Sequence, residues 1–94
     1  MKVSDMRQIL TIVSQCDALT ITKEDMDAVL QATGMIIACL EKVGLVTTEI
    51  SAQWAVLKLS TWSEGYFCIC VRQMVSVLWP VVDMYEVIAK AFNI

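Results

Sequence analysis

The stretch TKEDMDAVLQATGMIIACLEKVG, residues 22–44, constrains the fold more than any other part of the chain. It opens as helices open. Thr22 can cap the first free N–H groups, and Asp25 three residues on completes a capping box with Asp in place of the usual Glu. Glu24, Asp25 and Asp27 crowd the first turn, where negative charge meets the positive end of the helix dipole. The helical pattern closes at Gly44, a residue suited to the left-handed conformation that ends a helix. Met26, Val29, Leu30, Ile36, Ile37, Leu40 and Val43 share one face, and Ala28, Ala32, Met35 and Cys39 widen it. At 100° per residue the apolar arc is roughly 220°, about twice what a surface helix needs. Such a helix is surrounded on most sides, or turns one face to a partner. Thr33-Gly34 offers a point at which it could divide in two.

The other elements are read around this one. Residues 5–17 form a helix with Ser4 as N-cap, its stripe being Met6, Ile9, Leu10, Ile12, Val13 and Cys16. LTIT (19–22) is a short strand or a turn. Beyond Gly44 the period changes: Ala55, Leu57 and Leu59 alternate with Val56, Lys58 and Ser60, and Phe67, Ile69 and Val71 alternate with Tyr66, Cys68, Cys70 and Arg72. With the turn signal SEG (63–65) between them, the two runs predict a β-hairpin of 54–60 with 66–72. Two helices are the alternative, because short apolar runs fit both periods. A last helix covers Val81–Phe92, with Pro80 at N1, Val81, Met84, Tyr85, Ile88 and Phe92 on its inner stripe, and Asp83, Glu86 and Lys90 on the wet side.

The order helix, short strand, helix, helix, hairpin, helix is similar to the winged helix-turn-helix superfamily, with the spacing of its MarR-type branch. LEKVGLV (40–46) resembles the close of a recognition helix running into a wing, and LKLSTWSEG (57–65) resembles the second wing strand and its turn. The resemblance implies an α+β fold of winged-helix type in one domain, residues 1–94, with an all-α helical bundle as the alternative. It also implies a dimeric DNA-binding transcription regulator in which Gln31, Thr33, Lys42 and Lys58 face the nucleic acid. The residues depart from that role. At the recognition positions only Gln31 and Thr33 can read a base edge, and the wing tip Ser51-Ala52-Gln53-Trp54 has no cation. Seven Lys and Arg stand against ten Asp and Glu, a net charge of -3, so the counterion release that drives phosphate binding is weak. Nucleic acid is the disfavoured partner.

Composition completes the reading. Hydrophobic residues make up 57% of the 94 and charged residues 18%, more apolar surface than one small interior can hide. A homodimer is expected. The longest apolar stretch, Tyr66 to Phe92, is broken by Arg72, Asp83, Glu86 and Lys90, and Asp5 and Arg7 interrupt any leader-like run. The expectation is therefore an intracellular, cytoplasmic protein with no membrane partner. Histidine is absent and the three glycines are scattered, which points away from an enzyme and from any cofactor. The four cysteines are expected as reduced, packed thiols. A zinc site from Cys68-Ile69-Cys70 with Cys16 and Cys39 lacks the usual C-x2-C pairing, and a disulfide within Cys68-Ile69-Cys70 is geometrically poor.

Among the aromatic residues, Trp62 and Trp79 are expected to fill core, whereas Trp54 with Met35 suits a binding anchor. The functional expectation is a small, acidic, non-enzymatic protein that dimerises and binds another protein. It would be an inhibitor or modulator of a larger complex, of the kind phages and mobile elements carry. The binding surface would be Trp54, Met35 and Ile36 with an acidic rim of Glu24, Asp27 and Glu49. A third class is a binder of a small apolar ligand in the dimer cleft.

Overall fold

The computed structural model describes residues 1–46, 48–59 and 63–93. Among these described residues there are four helices, α1 (Val3–Val13), α2 (Lys23–Glu41), α3 (Thr48–Leu59) and α4 (Glu64–Phe92), and no strand. The fold is all-α. This overturns the winged-helix reading: residues 54–59 belong to α3, and 66–72 lie within α4. No wing exists among the described residues, and the MarR-like resemblance falls with it. Ser60 of the expected hairpin, and Trp62, lie outside the described residues.

α2 forms as its sequence demands at both ends. The Thr22 hydroxyl accepts the Asp25 N–H at 3.1 Å, and the Asp25 carboxylate accepts the Thr22 N–H at 3.0 Å. At the other end Gly44 takes φ 74°, and the Leu45 N–H bonds back to the Leu40 carbonyl at 3.1 Å, which closes the last turn. The helix does not divide at Thr33-Gly34. Thr33 is fully buried, and its hydroxyl donates to the carbonyls of Val29 at 2.8 Å and Leu30 at 3.2 Å, so the polar group is satisfied within the helix. α2 touches α1, α3 and α4, the surrounded position its wide apolar arc predicts.

α1 begins earlier than expected. Lys2 is the N-cap and makes no side-chain cap bond, while Ser4 sits inside the helix. Between α1 and α2 the chain turns rather than forming a strand. Asp17 accepts the Leu19 N–H through its carboxylate at 3.0 Å and the Ile21 N–H through its carbonyl at 2.9 Å, the local chemistry of an Asx turn.

α4 explains why the hairpin pattern misleads. Phe67, Val71, Met74, Val75, Leu78, Val82 and Tyr85 face the core at helical spacing. The opposite face carries Ile69, Val77, Met84 and Val87, all exposed. A helix apolar on two faces produces runs that also satisfy strand alternation. Ser63, read as part of a turn, is the N-cap, its hydroxyl accepting the Tyr66 N–H at 3.3 Å. Pro80 lies inside α4 rather than at N1. An interior proline costs an isolated helix about 3 kcal/mol; here burial of Leu78 and Val82 on either side offsets it. Of the expected stripe Tyr85 is buried, but Met84 and Phe92 are exposed, and Val82, outside that stripe, is buried.

The core joins Met6, Leu10, Ile36, Leu40, Phe67, Val71, Met74 and Leu78. α1 lies most extensively against α4, and this pair is cross-braced. Arg7 reaches Asp83 at 2.9 Å and also Glu86. The Arg72 guanidinium donates to the Cys16 carbonyl. Cys16 and Cys68 pair as a disulfide with Cα atoms 5.6 Å apart, which corrects the expectation of four reduced thiols. Cys39 and Cys70 are free and half-buried.

Candidate functional site

The open groove between α2 and α3, about 640 Å3, is built around Trp54. Its indole N–H donates to the Leu30 carbonyl at 2.8 Å. The ring lies on Gly34, where a Cβ would come within 2.6 Å of Trp54 Cζ2. Gly34 is therefore a seat for the tryptophan rather than a helix break. One turn further along α3, Lys58 holds its ammonium 5.0 Å from the centre of the same ring. That is a cation–π contact, worth ~0.5–1 kcal/mol at an exposed site. The ring is thus fixed from below by a hydrogen bond and covered at one end by a cation.

Met35 stands beside this floor on α2, 55% exposed. Its unbranched thioether can adapt to what is placed against it. Asp27, Gln31 and Lys58 supply polar groups around the groove. The arrangement offers burial for an apolar side chain and one charge of each sign to orient it.

Of the residues named from the sequence, Trp54, Met35 and Asp27 come together here. Ile36 does not, because one residue on from Met35 the helix has turned 100°, and Ile36 is fully buried. Glu24 is exposed on the first turn of α2, outside the groove lining. Glu49 lines a different groove of about 500 Å3 between α3 and α4, with Ala52, Val56, Tyr66 and Cys70. The acidic rim therefore reduces to Asp27 at this site.

The four residues of the DNA reading do not converge either. Gln31 and Lys58 line the α2–α3 groove, Lys42 is the C-cap of α2 outside that lining, and Thr33 is in the core. One cation beside one carboxylate makes no phosphate track. Trp79 packs against the core as expected.

Sequence reasoning missed the ionic cluster on the far side of the molecule. The Arg7 hydrogen bond holds the Glu86 carboxyl below its ordinary range, and hydrogen bonds to Asp83 and Glu86 raise the Arg7 guanidinium. Lys90 meets Glu86 at 3.5 Å, the one link its i, i+4 spacing announces. Burial raises the Tyr85 phenol, whose oxygen sits 4.0 Å from the Cys39 thiol. Among the described residues no group of three or more His, Cys, Asp or Glu side chains gathers as a metal site.

α4 is long and apolar enough to cross a membrane by length and composition, with a mean hydropathy of 1.5 in its most apolar window. The same traits mark a core helix, and its inner face is packed. No protein-family profile matches the chain, and comparisons with curated proteins and with solved structures also give no match.

Proposed function

We propose that this chain is a small, non-enzymatic protein-binding module that acts as a dimer in the cytoplasm, inhibiting or modulating a larger complex through the α2–α3 groove. The observation that carries this reading is Met35, left more than half exposed beside a tryptophan ring that is fixed by Leu30 and Gly34. A rigid aromatic floor loses little conformational freedom on binding, and a methionine beside it moulds to an incoming apolar side chain. An amphipathic helix presenting an apolar ridge suits such a groove. Asp27 and Lys58, of opposite sign, set its orientation more than its affinity.

The test is affinity capture from nuclease-treated lysate with wild type and Met35→Glu. Trp54→Ala is the wrong variant, because it removes the anchor between α2 and α3 along with the binding floor. The expected result is a stoichiometric protein captured by wild type and lost with Met35→Glu, at unchanged thermal stability. A protein captured equally by both, or none captured by either, overturns the reading.

A further inference from the structure

α4 is apolar on its outer side as well as its inner one. Ile69, Val77, Pro80, Met84 and Val87 fall within roughly 80° of arc at 100° per residue. The four large side chains among them are 57, 48, 55 and 67% exposed in that order. No charged residue falls within the stripe; Gln73 and Tyr66 are its polar members. Isolated exposed apolar residues are ordinary, but a ridge from Ile69 to Val87, interrupted by Gln73 and about 27 Å long at 1.5 Å per residue, marks an interaction surface.

The geometry points to a second copy of the chain as the occupant, packed with its α4 antiparallel to the first. This deepens the dimer in the proposed function and is independent of the α2–α3 groove. Charge register chooses the arrangement. Arg72, Asp83 and Lys90 lie together on one flank, roughly 40–60° beyond the edge of the stripe. In an antiparallel two-fold pair, each flank faces the same flank of the other helix. A two-fold axis between Val77 and Leu78 sets Arg72 opposite Asp83 of the partner subunit, and does so twice. Both central groups can respond. The Asp83 side chain stays 65% exposed while one oxygen meets Arg7, and Arg72 directs one nitrogen of a five-donor group at Cys16.

Size sets a requirement. A stripe of that length on a helix 10–12 Å across buries on the order of 450 Å2 per copy, so its flanks must contribute to reach the ~800 Å2 per partner of a standard stable interface. At the mid-point, an open groove of about 530 Å3 between Gln53 and the Arg72–Val77 turn has room for side chains from the facing helix. A bilayer is the poorer occupant. It would set the mid-helix charges Arg72 and Asp83 beside hydrocarbon at a cost of kilocalories each, whereas a second copy pairs them.

The experiment measures solution mass by light scattering and sedimentation for wild type, Val77→Glu and Arg72→Asp. It adds oxidative cross-linking of Val77→Cys and Val87→Cys, made with Cys39→Ser and Cys70→Ser. The expected wild-type mass is twice the 10.5 kDa chain. Val77→Glu should weaken association at least 10-fold with the helical signal retained, and Arg72→Asp should weaken it several-fold. Val77→Cys, beside the axis, should cross-link. Val87→Cys should not, since its two copies stand about 28 Å apart in this register.

A wild-type mass of one chain overturns both the seam and the dimer of the proposed function. A dimer that survives Val77→Glu, or that cross-links through Val87→Cys, overturns the seam alone. Sedimentation of wild type, but not Val77→Glu, with phosphatidylcholine vesicles gives the face to a membrane and also overturns the seam.

Discussion

The two joints of this molecule are built differently. Where α1 meets α4, a buried apolar seam is reinforced by a disulfide, by Arg7 on two carboxylates and by Arg72 on a backbone carbonyl. Where α3 meets α2, the indole hydrogen bond, the Ser51 hydroxyl donating to the Glu41 carboxylate at 2.6 Å and one ring-on-glycine contact stand out, and α3 buries only Ile50 and Leu57 among its described side chains. The first joint is a scaffold. The second is lightly held, which is where a binding surface can adapt without unfolding the rest. The proposed binding surface lies on the weaker joint, with the stronger one as its support.

The sharpest way to break that contrast is to remove the disulfide. Cys16 and Cys68 are 52 residues apart, and closing a loop of that length stabilises by about 4 kcal/mol in the chain-entropy account. Cys68→Ala should lower the denaturation free energy by ~2–4 kcal/mol, and dithiothreitol should do the same to wild type with no further effect on the variant. A denaturation midpoint unmoved by reductant would show that α1 and α4 need no covalent brace.

Gly34→Ala attacks the weaker joint. A β-carbon there has no room beside the Trp54 ring, so the ring must move, alone or with α3. The expected cost is ~1–3 kcal/mol for overpacking, reduced by the ~1 kcal/mol that alanine gains over glycine inside a helix. The indole fluorescence should move toward the exposed range while most helical signal remains. Combined with Trp54→Leu, the glycine substitution should become neutral or stabilising. Simple additivity of the two would mean that ring and glycine do not meet in solution.

How much of this was legible follows from where each signal resides. α2 could be read from its ends, because a capping box and a left-handed glycine are local devices that need no other part of the chain. Its surrounded position followed from the width of its apolar arc. α3 and α4 are not legible because a helix with two apolar faces imitates strand alternation, and because Ser63-Glu64-Gly65 serves a helix start as well as a turn. For Pro80 the local rule that favours N1 yields to tertiary burial, which keeps it inside α4. At the site, Met35 and Trp54 could be nominated by residue type, and the fold brings them together. Ile36 and Glu49 could not be sorted without knowing the helical phase of α2 and the nature of α3. The pairing of Cys16 with Cys68, and of Trp54 with Gly34, depends on topology, and no spacing in a single sequence encodes it.

The ionic brace gives a smaller, pH-dependent effect. The Glu86 carboxyl is held below its ordinary value, chiefly by its hydrogen bond from Arg7. A group lowered on folding contributes stability that is fully present above its unfolded value of about 4.3 and is lost as the pH falls through the lower folded value. Wild type should therefore exceed Glu86→Gln in stability at neutral pH, and the gap should close below pH ~4. The side chain is partly exposed, so salt should narrow the gap at neutral pH. A gap that widens in acid would reverse the sign and remove Glu86 from the brace.

The smallest expected effect separates the rim of the groove from its floor. Lys58 covers one end of the Trp54 ring at 5.0 Å without holding it in place, since the hydrogen bond to Leu30 and the seat on Gly34 do that. Lys58→Ala should cost only about 0.5 kcal/mol of stability and leave the indole emission near its wild-type position. Lys58→Glu should cost slightly more, because a carboxylate facing the negative ring face also stands near Asp27. If either variant released α3 as far as Gly34→Ala does, the cation would be part of the anchor, and the division of this joint into a fixed floor and an adjustable rim would have to be abandoned.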